Sequence, residues 1–374
     1  MELKAQGDRW YQVANVREVS SPALLVYPER VEENIRKMLA MAGGPQRLRP
    51  HIKTHKISEL IRLQIAQGIT KFKCATIAEA EMAAGAGAPD VLLAYQPVGP
   101  NVWRFIRLAK TFPKTAFSTI GDDADAMRDL SAAAAEAELR MPVLLDVDCG
   151  MNRSGISPGP KAAQLYSLIS SLPGLTAAGL HVYDGHIQDR DLATRVKRCQ
   201  TAFAPVDELR EQLSGSGLSV PKVVAGGTPT FPIHARRNDV ECSPGTSVFW
   251  DYSYTTKLPD LEFAVAALLL TRVVSKPGLN RLCLDLGHKA VASENPPPRV
   301  QFLELSDANA VGHSEEHLVV ETAQASDFPV GSCLYGIPWH ICPTVALHSE
   351  AVIINHGKAE ARWKISARDR KLTI

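Results

Sequence analysis

The sequence has almost no net charge: 41 basic and 40 acidic residues leave +1. A protein that holds nucleic acid or an anionic membrane through its overall field needs a basic excess, so both partners are excluded on that ground. Long hydrophobic runs are missing too. The longest apolar stretch, residues 263–270, is far too short to span a bilayer, and residues 1–12 carry no apolar core of the secretory kind after Lys4. These absences lead us to expect a cytoplasmic protein. The cysteines, 7 in all, are odd in number, scattered and never spaced as CxxC, which argues against a disulfide framework or a structural zinc knuckle. There is no repeat of fixed period and no low-complexity segment beyond residues 132–135.

What is present is an ordinary globular composition, 45% hydrophobic and 22% charged over 374 residues, enough for a sizeable core and two domains. From residue 22 onward, short apolar runs alternate with helical periods. Strands are expected at 23–26, 47–53, 71–75, 91–94, 115–118, 143–147, 178–183 and 222–225, with helices between them, among others at 102–109, 123–137, 160–172 and 191–213. That alternation is the arithmetic of a parallel (β/α)8 barrel over residues 21–253 rather than of an open doubly wound sheet. Residues 254–374 lose the helical period and read as strands joined by Pro and Gly turns. They form a mainly antiparallel β domain, which residues 1–20 are expected to join.

The densest reactive nitrogen lies in Arg49-Pro50-His51-Ile52-Lys53-Thr54-His55-Lys56. Strand alternation over 47–53 puts Arg47, Arg49, His51 and Lys53 on one face, with Lys53 at the carboxyl end, where barrels build their sites. A lysine there can form a Schiff base, provided Arg49, His51 and His55 depress its pKa; a solvated basic loop is the bland alternative. Lys56 is expected to face solvent. Gly226 and Gly227 with Thr228 follow an apolar strand, and Gly245 with Thr246 come one unit later. Such turns let backbone N–H groups approach a phosphate, a plain tight turn being the alternative. Arg153, in Gly150-Met151-Asn152-Arg153-Ser154-Gly155, suits an anionic or phenolate oxygen, or else pairs with Asp146 or Asp148. His340 and Cys342, two residues apart, can direct imidazole and thiolate at one metal ion, Zn²⁺ above all, although a lone HxC is more often coincidence.

Taken together, these stretches resemble the D-threonine aldolase and D-serine dehydratase group of pyridoxal-phosphate enzymes, which share the alanine-racemase-like barrel of fold type III. The resemblance covers almost the whole chain. It implies that Lys53 carries pyridoxal 5'-phosphate, that Gly226, Gly227, Thr228, Gly245 and Thr246 hold its phosphate, and that Arg153 approaches its phenolic oxygen. His51 and Tyr183 are expected beside the cofactor. His340 and Cys342 fall where the group binds a divalent metal, Zn²⁺ or Mn²⁺ or Mg²⁺. In the aldolases a histidine follows the tyrosine of a Tyr-His-Gly loop. This chain has Tyr183-Asp184-Gly185-His186 instead, so the catalytic base is Asp184 or His186. The implied activity is retro-aldol cleavage of a D-β-hydroxy-α-amino acid to glycine and an aldehyde, by a homodimer. Dehydration of D-serine or D-3-hydroxyaspartate to a 2-oxo acid and ammonia is the alternative. A racemase and a non-catalytic protein that handles the cofactor are minor ones.

Overall fold

A computed structural model describes residues 9–374. The chain forms two compact units that interleave along the sequence. One comprises Ile35–Ser247, Lys257–Glu262 and Asp369–Ile374; the other comprises the chain up to Asn34, Val248–Thr256 and Phe263–Arg368. Among the described residues no helix is long and apolar enough to cross a membrane.

Strand β1 (Ala23–Val26) and helix α1 (Pro28–Ala42) come first, then α2 (Ser58–Ala66), β2 (Lys71–Cys74), α3 (Ile77–Gly85), β3 (Asp90–Leu93) and α4 (Pro100–Thr111). The alternation continues through β4 (Ala116–Gly121), α5 (Ala124–Glu136), β5 (Met141–Val147), α6 (Pro160–Ser171), β6 (Leu175–Val182) and α7 (Leu192–Gly215). It ends with β7 (Val223–Ala225), α8 (Phe231–His234) and β8 (Glu241–Cys242). The helices begin where capping chemistry allows. Asp123 accepts from the N–H groups of Asp125 and Ala126, Asp191 from that of Thr194, and Thr76 from that of Glu79. Strands β2 to β8 pair in sequence order, all parallel. Leu92, Ile120, Leu144, Ala178 and Val224, one from each of β3 to β7, form a buried layer inside the curled sheet.

The eighth stave is residues 48–51, and it corrects two sequence expectations. Leu48 bridges Cys242 and His51 bridges Lys73, both in parallel, so this segment joins β8 back to β2 and completes the (β/α)8 barrel. It is not the continuous strand expected at 47–53. Residues Pro45–Arg47 and Ile52–Thr54 are single 3-10 turns, and Pro50, with no N–H of its own, only accepts, from the Lys73 N–H. Arg47 and Lys53 therefore fall in those turns, outside the bridged residues, while Arg49 and His51 stay two apart in the stave, Arg49 towards the strand starts and His51 towards the carboxyl ends. The second correction concerns β1. It pairs antiparallel with the strand Ala267–Gly278 and parallel with Glu350–Asn355, in the other unit's sheet. Its four residues are all apolar and buried, a pattern that fits either sheet equally.

The second unit holds β9 (Ala267–Gly278), β10 (Arg281–Leu284), β11 (Val300–Phe302), β12 (Asn309–His313), β13 (Leu318–Glu321), β14 (Cys333–Pro338), β15 (Glu350–Asn355) and β16 (Lys358–Lys364). Their order is β12-β13-β10-β9-β1-β15-β16, with β14 pairing both β9 and β11, and only the β1–β15 pair is parallel. Leu25, Leu268, Leu270, Tyr335, Val352 and Ile354 form its core together with Val13 and Val19. Of the expected joining of residues 1–20 to this unit, residues 1–8 lie outside the described residues.

Candidate active site

The carboxyl ends of the barrel strands enclose a cavity of about 560 Å³. Its lining includes His51 and Lys53 from the eighth stave, Lys73 from β2, Asp146 from β5, Arg153 from the following loop, and His181 and Tyr183 from β6 and its end. The Tyr183 ring is the hub: its centre lies 4.8 Å from the Arg153 guanidinium carbon, 5.7 Å from Lys53 Nζ and 5.8 Å from Lys73 Nζ. Asp146 and Asp148 do not neutralise Arg153. Asp146 is taken by His181 Nδ1 at 2.7 Å and by the Ser154 hydroxyl at 3.0 Å, while Asp148 accepts from the N–H groups of Gly150 and Asn152.

The two glycine turns, separate in sequence, meet beside this cavity. Thr228 Oγ1 accepts from the N–H groups of both Gly245 and Thr246, each at 3.1 Å. Gly226 has φ +77°, a conformation that disfavours side chains, and a Cβ there would come within 2.7 Å of His234 Cδ2. At Gly227 a Cβ would come within 3.1 Å of Tyr183 Cε2, and at Gly245 within 3.2 Å of the His51 carbonyl oxygen. Gly226 thus excludes a side chain, whereas one at Gly227 or Gly245 would have to push its neighbour back by a few tenths of an ångström.

The expected tuning shell of Lys53 is smaller than the sequence suggested. Arg49 is buried and turned to the strand starts, with Nη1 2.7 Å and Nη2 2.9 Å from Asp90 and Nε 2.7 Å from Glu241. The ring of His55 accepts from the Ile57 N–H at 3.1 Å. Lys56 does not face solvent: it has φ 55° and pairs with the buried Glu79. His51 alone lines the cavity beside Lys53. Burial, then the cations of Lys53 and Lys73, push its imidazole well below the ordinary value, so it is neutral.

Asp184 and His186 are not part of that lining. Asp184 is buried behind the first glycine turn, where Oδ1 accepts from the Thr230 hydroxyl at 2.7 Å and Oδ2 lies 2.8 Å from His234 Nε2. Thr230 in turn accepts from the Gly227 N–H at 3.3 Å. Burial alone would raise the Asp184 carboxyl, but the bonds from His234 and Thr230 hold it below the usual carboxylate range. The Cys199 thiol lies 3.7 Å from Asp184 and 3.6 Å from His234, a spacing that would also suit a metal ion. Hydrogen bonds already account for the carboxylate. His186 packs beside Gly150, where a Cβ would be 3.1 Å from its Nε2, and its buried Nδ1 has no partner.

Sequence reasoning missed Lys73 and His181. His181 stands in an apolar strand and Lys73 alternates with Phe72 and Cys74, each at a position that points into the lumen, and that signal was available. His181 leaves Nε2 buried without a partner. Lys73 is 2% exposed, and its ammonium makes no hydrogen bond or ion pair among the described residues. Burial, then the neighbouring Lys53, lowers it to about 7 from the ordinary 10.5. Unpartnered cations around one ring, with two glycine turns beside it, fit a planar, anionic aldehyde such as pyridoxal phosphate.

In the second unit, His340 caps a helix (Ile341–Leu347) whose first turn contains Cys342. His340 Nδ1 lies 2.6 Å from Glu294 Oε1. Burial alone would lower the imidazole, but Cys342 and Glu294 raise it to about 9. Imidazole and thiol are donors of the kind a divalent ion takes, and Glu294 orients the imidazole through Nδ1; the three are not drawn together as the donor atoms of Asp184, Cys199 and His234 are.

Known proteins agree with this geometry. Residues 26–253 match the family model described as alanine racemase, N-terminal domain, and residues 266–354 the one described as "Putative serine dehydratase domain". The chain is 30% identical to a D-threonine aldolase from an Arthrobacter species, over 94% of this chain and 93% of that protein. It is also 30% identical to a 3-hydroxy-D-aspartate aldolase from Paracoccus denitrificans, with the same coverage of each. The crystal structure of D-threonine aldolase from Filomicrobium marinum superposes with a TM-score of 0.87 at 27% identity, covering 94% of this chain and 95% of that one. A lysine at the mouth of a closed barrel, glycine turns beside it and two such domains over nearly the full length lead to one conclusion: the chain belongs to the alanine racemase N-terminal domain family, within its D-threonine aldolase and D-serine dehydratase group.

Proposed function

We propose that this protein is a lyase that cleaves D-β-hydroxy-α-amino acids to glycine and an aldehyde, with pyridoxal phosphate on Lys53 and a divalent ion at His340 and Cys342. The observation that carries the reading is the unpartnered Lys53 amine in a cavity flanked by two glycine turns that Thr228 ties together. When bound, the cofactor supplies an electron sink that lets a bond to Cα break. The protein's own part is placement. The turns of Gly226, Gly227 and Thr228 and of Gly245 and Thr246 would hold the phosphate, their N–H groups exchanging the Thr228 and Thr230 hydroxyls for it; Arg153 would hold the ring oxygen, and Tyr183 would wall the ring. Neutral His51 stays next to Lys53 without adding charge.

Of the two candidate bases, His186 keeps Nδ1 free of protein partners, whereas Thr230 and His234 occupy the Asp184 carboxylate. We therefore assign the proton transfer to His186 and a positioning role to Asp184. His340 and Cys342 would hold the ion, a Lewis acid suited to a hydroxyl. The resemblance extends the reading to a homodimer, which light scattering would test. A second reading, dehydration to a 2-oxo acid and ammonia, is favoured by the soft thiol at Cys342 and by the second domain match.

Incubation with pyridoxal phosphate, a divalent metal and D-threonine separates the two. Glycine and acetaldehyde support cleavage; 2-oxobutyrate and ammonia replace it with dehydration, and L-amino acid formation alone would mean racemisation. Absence of a lysine-bound cofactor absorbance, or its persistence in Lys53→Ala, would remove the cofactor reading.

A further inference from the structure

Glu294 meets His340 through a long, exposed side chain, and a solvated contact of that kind holds little by itself. What fixes it lies in the segment that carries it, residues 285–299 between β10 and β11, all turns and bends. His348 Nε2 donates to the Ala290 carbonyl at 2.8 Å, and the Ala292 N–H donates to Thr344 Oγ1 at 3.2 Å, which donates in turn to the His340 carbonyl at 2.8 Å. These bonds secure the first half of the segment to the helix that contains Cys342. The second half has Pro296, Pro297 and Pro298, which offer no N–H, and Arg299 supplies the tie they cannot. Its Nε reaches back across the prolines to the Asn295 carbonyl at 2.9 Å, while Nη1 donates to His288 Nε2 at 3.2 Å and to His313 Nδ1, at the end of β12, at 2.9 Å. The Trp339 N–H donates to the Arg299 carbonyl at 2.8 Å, one residue before His340. His313 Nε2 donates to the Leu286 carbonyl at 3.1 Å, which leaves Nδ1 as a lone pair for the guanidinium. Burial, then His288 and Arg299, lower that imidazole to about 4, so it stays neutral.

We propose that Arg299 is a positioning residue of the metal centre: clasped by His288 and His313, it holds the bend that presents Glu294 to His340 Nδ1 and so keeps Nε2 as the nitrogen left for an ion. This rests on the reading that His340 and Cys342 hold a divalent ion. The physical basis is that an imidazole ligand is fixed in tautomer and orientation by what its second nitrogen bonds. Glu294 makes that bond, 2.6 Å long, but a glutamate on a proline-rich bend is placed only as well as its backbone. Arg299 anchors that backbone at Asn295, the next residue, to two rings outside the bend. Its effect on the ion therefore runs through Glu294 alone.

The test uses the full-length protein freed of metal by a chelator and titrated with Co²⁺ at neutral pH, the thiolate-to-cobalt absorbance reporting the Cys342 ligand. R299M and E294A should each weaken Co²⁺ binding by roughly tenfold to a hundredfold, with the band retained at saturation. The double variant should bind no more weakly than E294A, because Arg299 acts only through Glu294; independent effects would multiply. A side chain that merely stabilises the fold would not lose its effect in the E294A background. The proposal is overturned if R299M binds Co²⁺ as wild type does, or if the two losses multiply in the double variant. Should R299M not fold, H313A decides, since it removes one of the two lone pairs that Nη1 meets: a loss of about threefold or more that vanishes in the E294A background supports the clasp, and wild-type affinity overturns it. H340A, C342A and C199A check the reading beneath. If H340A and C342A both keep the wild-type affinity, or if C199A rather than C342A abolishes the band, the ion sits elsewhere and the metal reading falls instead.

Discussion

Replacing Arg49 by Met should unfold the barrel more easily without removing the reactivity of Lys53. Arg49 lies in the stave that closes the sheet, and it binds Asp90 at the start of β3 and Glu241 at the start of β8. Its side chain is 1% exposed, whereas those of Asp90 and Glu241 are 25% and 14% exposed. Removing one partner of a buried pair costs about 3–5 kcal/mol. Here the lower end applies, because water reaches both carboxylates and Lys71 still pairs with Glu241. An unfolding entropy of about 2.1 cal/mol/K per residue gives roughly 0.8 kcal/mol/K for a chain of this length, so 3 kcal/mol lowers Tm by about 4 °C. Calorimetry or circular dichroism at neutral pH reads that shift, and borohydride labelling of Lys53 below the transition checks the site. The pH dependence has a definite sign. Burial raises Asp90 and Glu241, but Arg49 holds both below their ordinary values. The stabilisation is therefore complete above the ordinary carboxylate range and is lost as pH falls through the depressed values. R49M and wild type should converge in acid. A Tm change under about 1 °C would refute the closure argument, as would loss of Lys53 labelling at unchanged Tm. The second outcome would return Arg49 to the tuning of Lys53.

Gly226→Ala should weaken pyridoxal phosphate retention at least tenfold in equilibrium dialysis, about 1.4 kcal/mol, because φ +77° and the contact with His234 both oppose a side chain. Asp184→Asn should also lose retention, since it disturbs the bonds that hold Thr230 and, through it, Gly227; full retention with abolished cleavage would make Asp184 the base after all. His340→Ala and Cys342→Ala should each lower the bound divalent metal measured by mass spectrometry, and metal content equal to wild type in both would remove that site. Lys73, lowered to about 7, opposes folding in full below that pH, where the folded state must hold a proton in a dry site, and in part from there up to the ordinary lysine value, where only the unfolded chain keeps it. The penalty fades as pH rises towards the ordinary lysine value, so K73M should be more stable than wild type at pH 6 by on the order of a few kcal/mol, and equally stable near pH 10.

Local spacing by itself determined much of this protein. Helical and strand periods marked out the barrel's βα units, the caps at Asp123 and Asp191 set helix starts, and the change of period after the barrel announced the β domain. Such signals act between residues a few positions apart, so they can be read from the chain alone. Lys53 and the glycines of both turns were legible for the same reason: each stands at a strand end, and little else explains an N–H-rich turn there. What only the tertiary structure decided depends on residues distant in sequence. The buried run Ala23–Val26 fits either sheet, and only its pairing with β9 and β15 assigns it to the second. Arg49 appeared to tune Lys53, but it lies at the strand starts, bound to Asp90 and Glu241, at the other end of the stave. Asp184 shows the same limit: its neighbours in sequence suggest a base, and only its neighbours in space, Thr230 and His234, show what bonds the carboxylate makes. Lys73 and Lys53 are 20 residues apart and line one cavity only because the barrel closes between them. The reason is general: periodicity records which way a side chain faces, but the partner it meets, and hence its charge, is settled by which strands the closed sheet brings together.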